Sequence, residues 1–131
     1  MTSTNIDIAR AYFEAVQTGN FAVVGQLLDG DIVWHQPGAN QFSGDHKGQG
    51  AVFAMLGQMM ETSQGTFAID KLRSVTENGD LVAASIHFGG SRGDTSMAMD
   101  GVDLLRFQDG KIVEMWLFSS DQAAEDAFWG R

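Results

Sequence analysis

Asp103-Leu104-Leu105-Arg106-Phe107-Gln108-Asp109-Gly110-Lys111-Ile112-Val113-Glu114 is the stretch that decides the fold. Two β-rich runs flank Asp109-Gly110, a dipeptide that tolerates the positive φ angles of a two-residue hairpin turn. The stretch is therefore read as two antiparallel strands, Ser96 to Phe107 and Lys111 to Ser119. Upstream, Asn78-Gly79 is a second such turn, between strands over Phe67 to Val75 and Leu81 to Phe88. Gly89 to Asp94 supplies the remaining turn. The result is a four-strand antiparallel meander.

The N-terminal half has a different period. Ile6, Ala9, Phe13 and Val16 recur at helical spacing, with Ile8 and Tyr12 beside them, which predicts a helix over about Thr4 to Thr18. Ser3 or Thr4 caps it and Gly19 ends it. Asn20 caps a short second helix with Phe21, Val24, Leu27 and Leu28 on one face, closed at Gly30. Ile32 to Gln36 reads as a short strand stopped by Pro37-Gly38. The polar, Gly-rich run Gly38 to Gly50 reads as a loop that forms a flap. Val52, Met55, Leu56, Met59 and Met60 mark a third helix near Gln49 to Thr62. A short terminal helix, Asp121 to Trp129, follows the last strand, with Asp121 as its cap. Helices first and a meander after them argue an α+β class, three helices packed on the concave face of a curved antiparallel sheet, with a cavity between the layers.

Composition narrows the function. The chain has 131 residues, 44% hydrophobic and 19% charged, which suits one globular domain over 1–131. Its net charge is −9, with only 8 Lys and Arg. Phosphate backbones and anionic lipid surfaces would be repelled, so neither nucleic acid nor membrane is an expected partner. Cysteine is absent, which removes disulfide and thiolate chemistry. Met1-Thr2-Ser3-Thr4-Asn5 has no basic patch or apolar run of a signal peptide, and a cytoplasmic setting is expected. The three histidines lie far apart without metal-ligand spacing, so no metal and no cofactor is expected. A small apolar molecule is the expected partner.

Three strings resemble the nuclear transport factor 2-like superfamily, in its SnoaL-like and ketosteroid isomerase-like branches. They are Ala11-Tyr12-Phe13-Glu14-Ala15-Val16-Gln17-Thr18-Gly19-Asn20, then Val33-Trp34-His35-Gln36-Pro37-Gly38 followed by Gly44 and Gly48, then Asp103 to Glu114 running into Trp116 and Asp121. The resemblance implies a cone-shaped, cystatin-like domain with one deep pocket, and a homodimer formed through the convex sheet face. Steroid isomerases of this superfamily combine a carboxylate base with a Tyr and a protonated Asp that donate to a developing oxyanion, a pattern of pKa tuning. By the resemblance, Tyr12 matches the Tyr position and Asp103 the protonated Asp. The base position holds Gln36, and a carboxamide takes no proton at neutral pH. Steroid isomerisation by that route is not expected, but polarisation of a carbonyl is.

The remaining candidates follow from strand alternation and from the resemblance. Trp34 and Gln36 share one strand face and His35 takes the other. His87 shares a face with Ala83 and Ser85, toward either the cavity or the convex surface. His35 and His87 are candidate general bases, set against a plain structural role. His46 is expected to be solvated. Trp116 and Phe118 share one face of the last strand with Ile112 and Glu114, and by the resemblance that face lines the cavity. Phe53, Met55, Met59 and Met60 from the third helix, with Met99, complete an expected apolar wall, which ordinary core packing also explains. Tyr12 and Asp103 have bland readings too, a core aromatic and a surface partner of Arg106 or Arg92. Three functions compete. They are an enzyme that isomerises, cyclises or hydrates a small carbonyl or polyketide-like compound, a non-catalytic pocket for a lipophilic ligand, and a dimeric assembly module.

Overall fold

The computed structural model describes residues 4–131. The leader reading of Met1 to Ser3 and the capping role of Ser3 lie outside these residues. Helix α1 spans Asn5–Thr18, with Thr4 and Asp7 forming a reciprocal capping box and Gly19 turning left-handed at its end. Asn20 caps α2, Phe21–Leu27. That helix runs directly into strand β1, Leu28–Gln36, so it ends before Gly30 and the strand is longer than Ile32 to Gln36. The expected loop Gly38 to Gly50 contains a further strand, β2, Gly44–Lys47, which pairs antiparallel with the end of β1. Helix α3 is Gln49–Thr62.

The meander follows as β3, Ala68–Asn78, β4, Leu81–Arg92, β5, Thr95–Gln108, and β6, Lys111–Ser119. A final helix, α4, is Gln122–Trp129, capped by the Asp121 carboxylate. The six strands form one sheet in the order β2-β1-β6-β5-β4-β3, with β1 parallel to β6 and every other pair antiparallel. Both turn residues of the last hairpin, Asp109 and Gly110, have positive φ, as a primed turn requires. The α+β class expected from the periodicity is what the chain adopts. The terminal helix falls where expected, and the one additional element is the short strand β2 inside the expected loop.

Register then decides which side chains face inward. On β4, Val82, Ala84, Ile86 and Phe88 are buried, and on β5 Met97, Met99, Asp103, Leu105 and Phe107. Helices α1, α3 and α4 lie over that face. Strict alternation fails on β3, where the pairing with β4 shifts twice, and, with more consequence for the cavity, on β6. Phe107 pairs with Ile112 but Arg106 pairs with Glu114, so Val113 is an extra residue in a β-bulge. Beyond the bulge the phase inverts, because side chains alternate with a period of two. Met115 and Leu117 face inward, and Glu114, Trp116 and Phe118 turn to the convex face with His35 and Asp45. Gly101 supports the bend of β5 nearby: a Cβ there would lie 2.6 Å from the Phe118 carbonyl oxygen.

Candidate active site

Between the sheet and the helices lies a cavity of about 390 Å³. Val16, Leu56, Met59, Phe67, Ile86, Phe88 and Leu117 make most of its wall apolar. The exposed residues Gln17, Thr18, Gly19 and Phe21, from the α1–α2 turn, and Gly65, after α3, form the outer end. The buried end holds Tyr12, Trp34, Gln36, Asp103 and Glu125. Such a site, apolar with a few convergent polar groups, is the usual form of a small-molecule pocket.

Each deep polar group has a distinct electrostatic state. Tyr12 is held on α1 against Phe13, and its hydroxyl donates only to Met115 Sδ at 3.9 Å. Burial, followed by the Asp103 charge, pushes its pKa well above the normal phenol range, so the hydroxyl keeps its proton. Asp103 is brought in by β5, opposite Ala84 on one side and Leu117 on the other. Burial first, and the negative charge of Glu125 second, raise its carboxyl to about 7. Asp103 is therefore partly protonated at neutrality, and increasingly so as pH falls. No hydrogen bond from a described residue accounts for that shift.

Trp34 and Gln36 lie two residues apart on β1 and therefore on one face, where Trp34 Nε1 donates to Gln36 Oε1 at 2.9 Å. Indole N–H is donor only, so the amide oxygen must face it and the amide NH2 of Gln36 is left as a donor. Glu125 comes from α4 and is 4% exposed. Its Oε1 accepts from Ser119 Oγ at 2.7 Å and Gln122 Nε2 at 3.0 Å, and its Oε2 accepts from Trp129 Nε1 at 3.3 Å. All three neighbours donate, which is the environment of a carboxylate rather than of an acid. The cavity thus ends in two or three donors and one fixed acceptor.

The structure brings Tyr12, Asp103, Trp34, Gln36 and Met59 together on the cavity, with Met60 beside them. It does not bring the two histidines there. His35 sits on the convex face, Nδ1 at 2.7 Å from Asp45 and Nε2 at 2.7 Å from Glu114, with its ring stacked on Trp116 at 5.4 Å. Arg106 donates to the same Glu114. Partial burial opposes protonation of His35, but the hydrogen bonds to Glu114 and Asp45, and their charges, outweigh it and raise its pKa. His87 also faces outward, 2.7 Å from Asp70. His46 is on β2 and bonds the Phe42 carbonyl at 2.7 Å, rather than standing free in solvent.

Trp116 leaves the cavity because of the bulge. Phe118 borders it only at the edge and is 55% exposed. Phe53 packs edge-on against Phe21, and Met99 is buried without lining the cavity. The Gly38 to Gly50 segment is pinned rather than a loose flap. Asp126 accepts from the Ala39 backbone and the Asn40 side chain, and Phe42 packs edge-on against Trp129.

Sequence reasoning missed Glu125, Leu117 and Ser119. The signal for Glu125 was present: it shares a face of α4 with Phe128 and Trp129, three and four residues on, and an acid on an apolar helix face points inward. Among the described residues no group of three His, Asp or Glu side chains is placed to hold a metal ion, and no helix is long and apolar enough to cross a membrane.

Comparison with known proteins agrees with this architecture. No curated protein matches the chain in sequence. A Xanthomonas campestris protein of unknown function with a cystatin-like fold is 51% identical, over 98% of this chain and 100% of that one, with a TM-score of 0.96. TerC, crystallised with polyporic acid, is 20% identical over 94% of this chain and 96% of its own, with a TM-score of 0.82. IdmH, a candidate polyketide cyclase from Streptomyces antibioticus, is 19% identical over 91% and 95%, with a TM-score of 0.70. At those identities TerC and IdmH share the fold alone. The model of the SnoaL-like domain matches residues 9–115. The chain belongs to the SnoaL-like domain family, within the nuclear transport factor 2-like superfamily that its sequence strings resemble.

Proposed function

We propose that the chain takes a small apolar carbonyl compound into this cavity and polarises the carbonyl with Tyr12 and Asp103, in an isomerisation, cyclisation or hydration. One observation carries the reading. Two buried proton donors, the neutral Tyr12 hydroxyl and an Asp103 carboxyl raised to about 7, line the deep end of an otherwise apolar cavity. Neutral donors in a water-poor site stabilise charge that develops on a carbonyl oxygen far better than they would in water. TerC with polyporic acid and the candidate cyclase IdmH give the reading a precedent in fold. Tyr12→Phe and Asp103→Asn should each cut turnover of such compounds by about tenfold to a thousandfold while leaving circular dichroism unchanged. Unchanged turnover in both variants would remove the proposal.

Gln36 favours a second reading, a lipophilic carrier without catalysis, because the position that holds a carboxylate base in related isomerases has no titratable group. An apolar ligand that raises the melting temperature and is recovered chemically intact would favour the carrier. We further propose a homodimer through the convex sheet face, supported by Trp116 and the 55% exposed Phe118 standing outward there.

A further inference from the structure

We propose that Glu125 is the general base of the cavity, removing a proton from the carbon next to the carbonyl that Tyr12 and Asp103 hold. This assignment rests on the carbonyl reading above. It places the base on α4, far in the chain from Gln36, and it makes the preferred substrate a ketone or enone with an acidic α C–H.

Three observations carry it. Glu125 lines the same cavity as Tyr12 and Asp103, so a ligand bound between them touches all three. Its position is fixed: Ser119 closes the end of β6 onto it, Gln122 reaches it from the preceding turn of α4, and the Trp129 ring braces it from the following turn. Its two oxygens are unequal. Oε1 takes two short hydrogen bonds, whereas Oε2 takes only the 3.3 Å bond from Trp129 and keeps lone-pair capacity for an incoming proton. A base must be within hydrogen-bond reach of the proton it takes, and Glu125 stands on the wall that a ligand at the deep end would touch.

The step balances without a co-reactant. The α C–H bond breaks and its proton goes to Oε2. The electron pair of that bond forms the new C=C bond, and the carbonyl pair moves to oxygen, where Tyr12 and Asp103 donate to it. Return of the proton to the γ carbon of an enone completes an isomerisation, and its return to the α carbon restores the ketone. Either way Glu125 regains its charge.

The probe is 2-tetralone, an apolar bicyclic ketone with an acidified α C–H. Binding is read by tryptophan fluorescence, and exchange of the α hydrogens in deuterated buffer is read by proton NMR. The wild-type protein should bind the probe and exchange its α hydrogens well above the buffer rate. Glu125→Gln should bind within about twofold and lose exchange by about a hundredfold, the usual loss on removing a positioned base. Near-UV circular dichroism checks its fold. Should Glu125→Gln fail to fold, Glu125→Asp keeps the charge one methylene short and should retain binding while exchange falls by about tenfold or more. A folded Glu125→Gln or Glu125→Asp that exchanges at the wild-type rate overturns the assignment. So does a wild-type protein that binds the probe without exchanging it, which leaves the carbonyl pocket standing. A wild-type protein that does not bind the probe at all sinks the pocket reading instead, and the base with it.

Discussion

Asp103→Asn should flatten the pH dependence of stability between about pH 4 and pH 8, and the size of the change follows from the state of one carboxyl. In the folded chain that carboxyl is raised from 3.8 to about 7, by burial first and by the Glu125 charge second. Between those two values the folded protein holds a proton that the unfolded chain has released. Stability therefore falls as pH rises through this window, because it changes with pH in proportion to the protons bound unfolded minus those bound folded. The stabilising proton is fully present below about pH 4 and is lost by about pH 8. A shift of roughly three units at 1.36 kcal/mol each gives an upper bound of about 4 kcal/mol, and relaxation of a partly hydrated cavity reduces it.

Asparagine keeps the shape and carries no charge, so the substituted protein should be more stable than wild type at about pH 8, by about 2–4 kcal/mol, and by only about 1 kcal/mol at about pH 4.5. Urea unfolding followed by tryptophan emission, at roughly half-unit steps from about pH 4.5 to 8.5, measures both curves. Glu125→Gln is the internal control. It removes the lesser cause of the shift, so its curve should keep most of the wild-type slope. A stability curve for Asp103→Asn with the same slope as wild type would refute the burial argument, and with it the neutral Asp103 on which carbonyl polarisation depends.

The convex face supplies two more tests. His35 has a raised folded pKa, so its cluster contributes stability below about 6.5 that is lost as pH rises through the folded value. NMR titration of the ring should show a midpoint above the free-histidine value, moving down in Glu114→Gln, and an unmoved midpoint would exclude the Glu114 bond as a cause. If the dimer forms through this face, Trp116→Asp with Phe118→Asp should shift the mass measured by light scattering from two chains to one without changing the fold. A wild-type protein that is monomeric at high concentration would end that proposal.

What the sequence discloses about this fold depends on how local the cause is. The Thr4 capping box, the left-handed Gly19 and the primed turn at Asp109-Gly110 are set by neighbouring residues, and all were readable. Alternation alone put Trp34 and Gln36 on one face and His35 on the other, and only the resemblance suggested which face meets the cavity. Trp116 was misplaced because Ile112 and Val113 are both apolar: either can be the inward residue, and only cross-strand pairing with Phe107 and Arg106 shows that Val113 is the bulge. Strand β2 was hidden for a related reason. Gly44-Asp45-His46-Lys47 has almost no apolar pattern and is a strand only because β1 offers it an edge and His46 bonds Phe42. Glu125 was the costliest omission, since its environment is assembled from β6 and α4 and no single segment states it.

The acid–base balance of the cavity explains why Gln36 and Glu125 belong to one account. A buried site of this size tolerates one unpaired charge with difficulty, and each further carboxylate raises the pKa of the others. Asp103 already responds to Glu125 in this way, staying partly protonated at neutrality. A carboxylate in place of Gln36 would add a third acid to the same wall. Its carboxamide instead spends its oxygen on Trp34 and adds a neutral donor. Glu125 can be the charged member because Ser119, Gln122 and Trp129 replace the water it has lost, while Asp103 has no such donors and holds its proton to a higher pH than a free carboxyl does. Base and acid are thus separated by hydrogen-bond supply rather than by residue type, and the division of roles between two carboxyls in one cavity follows from which of them the surrounding elements can satisfy.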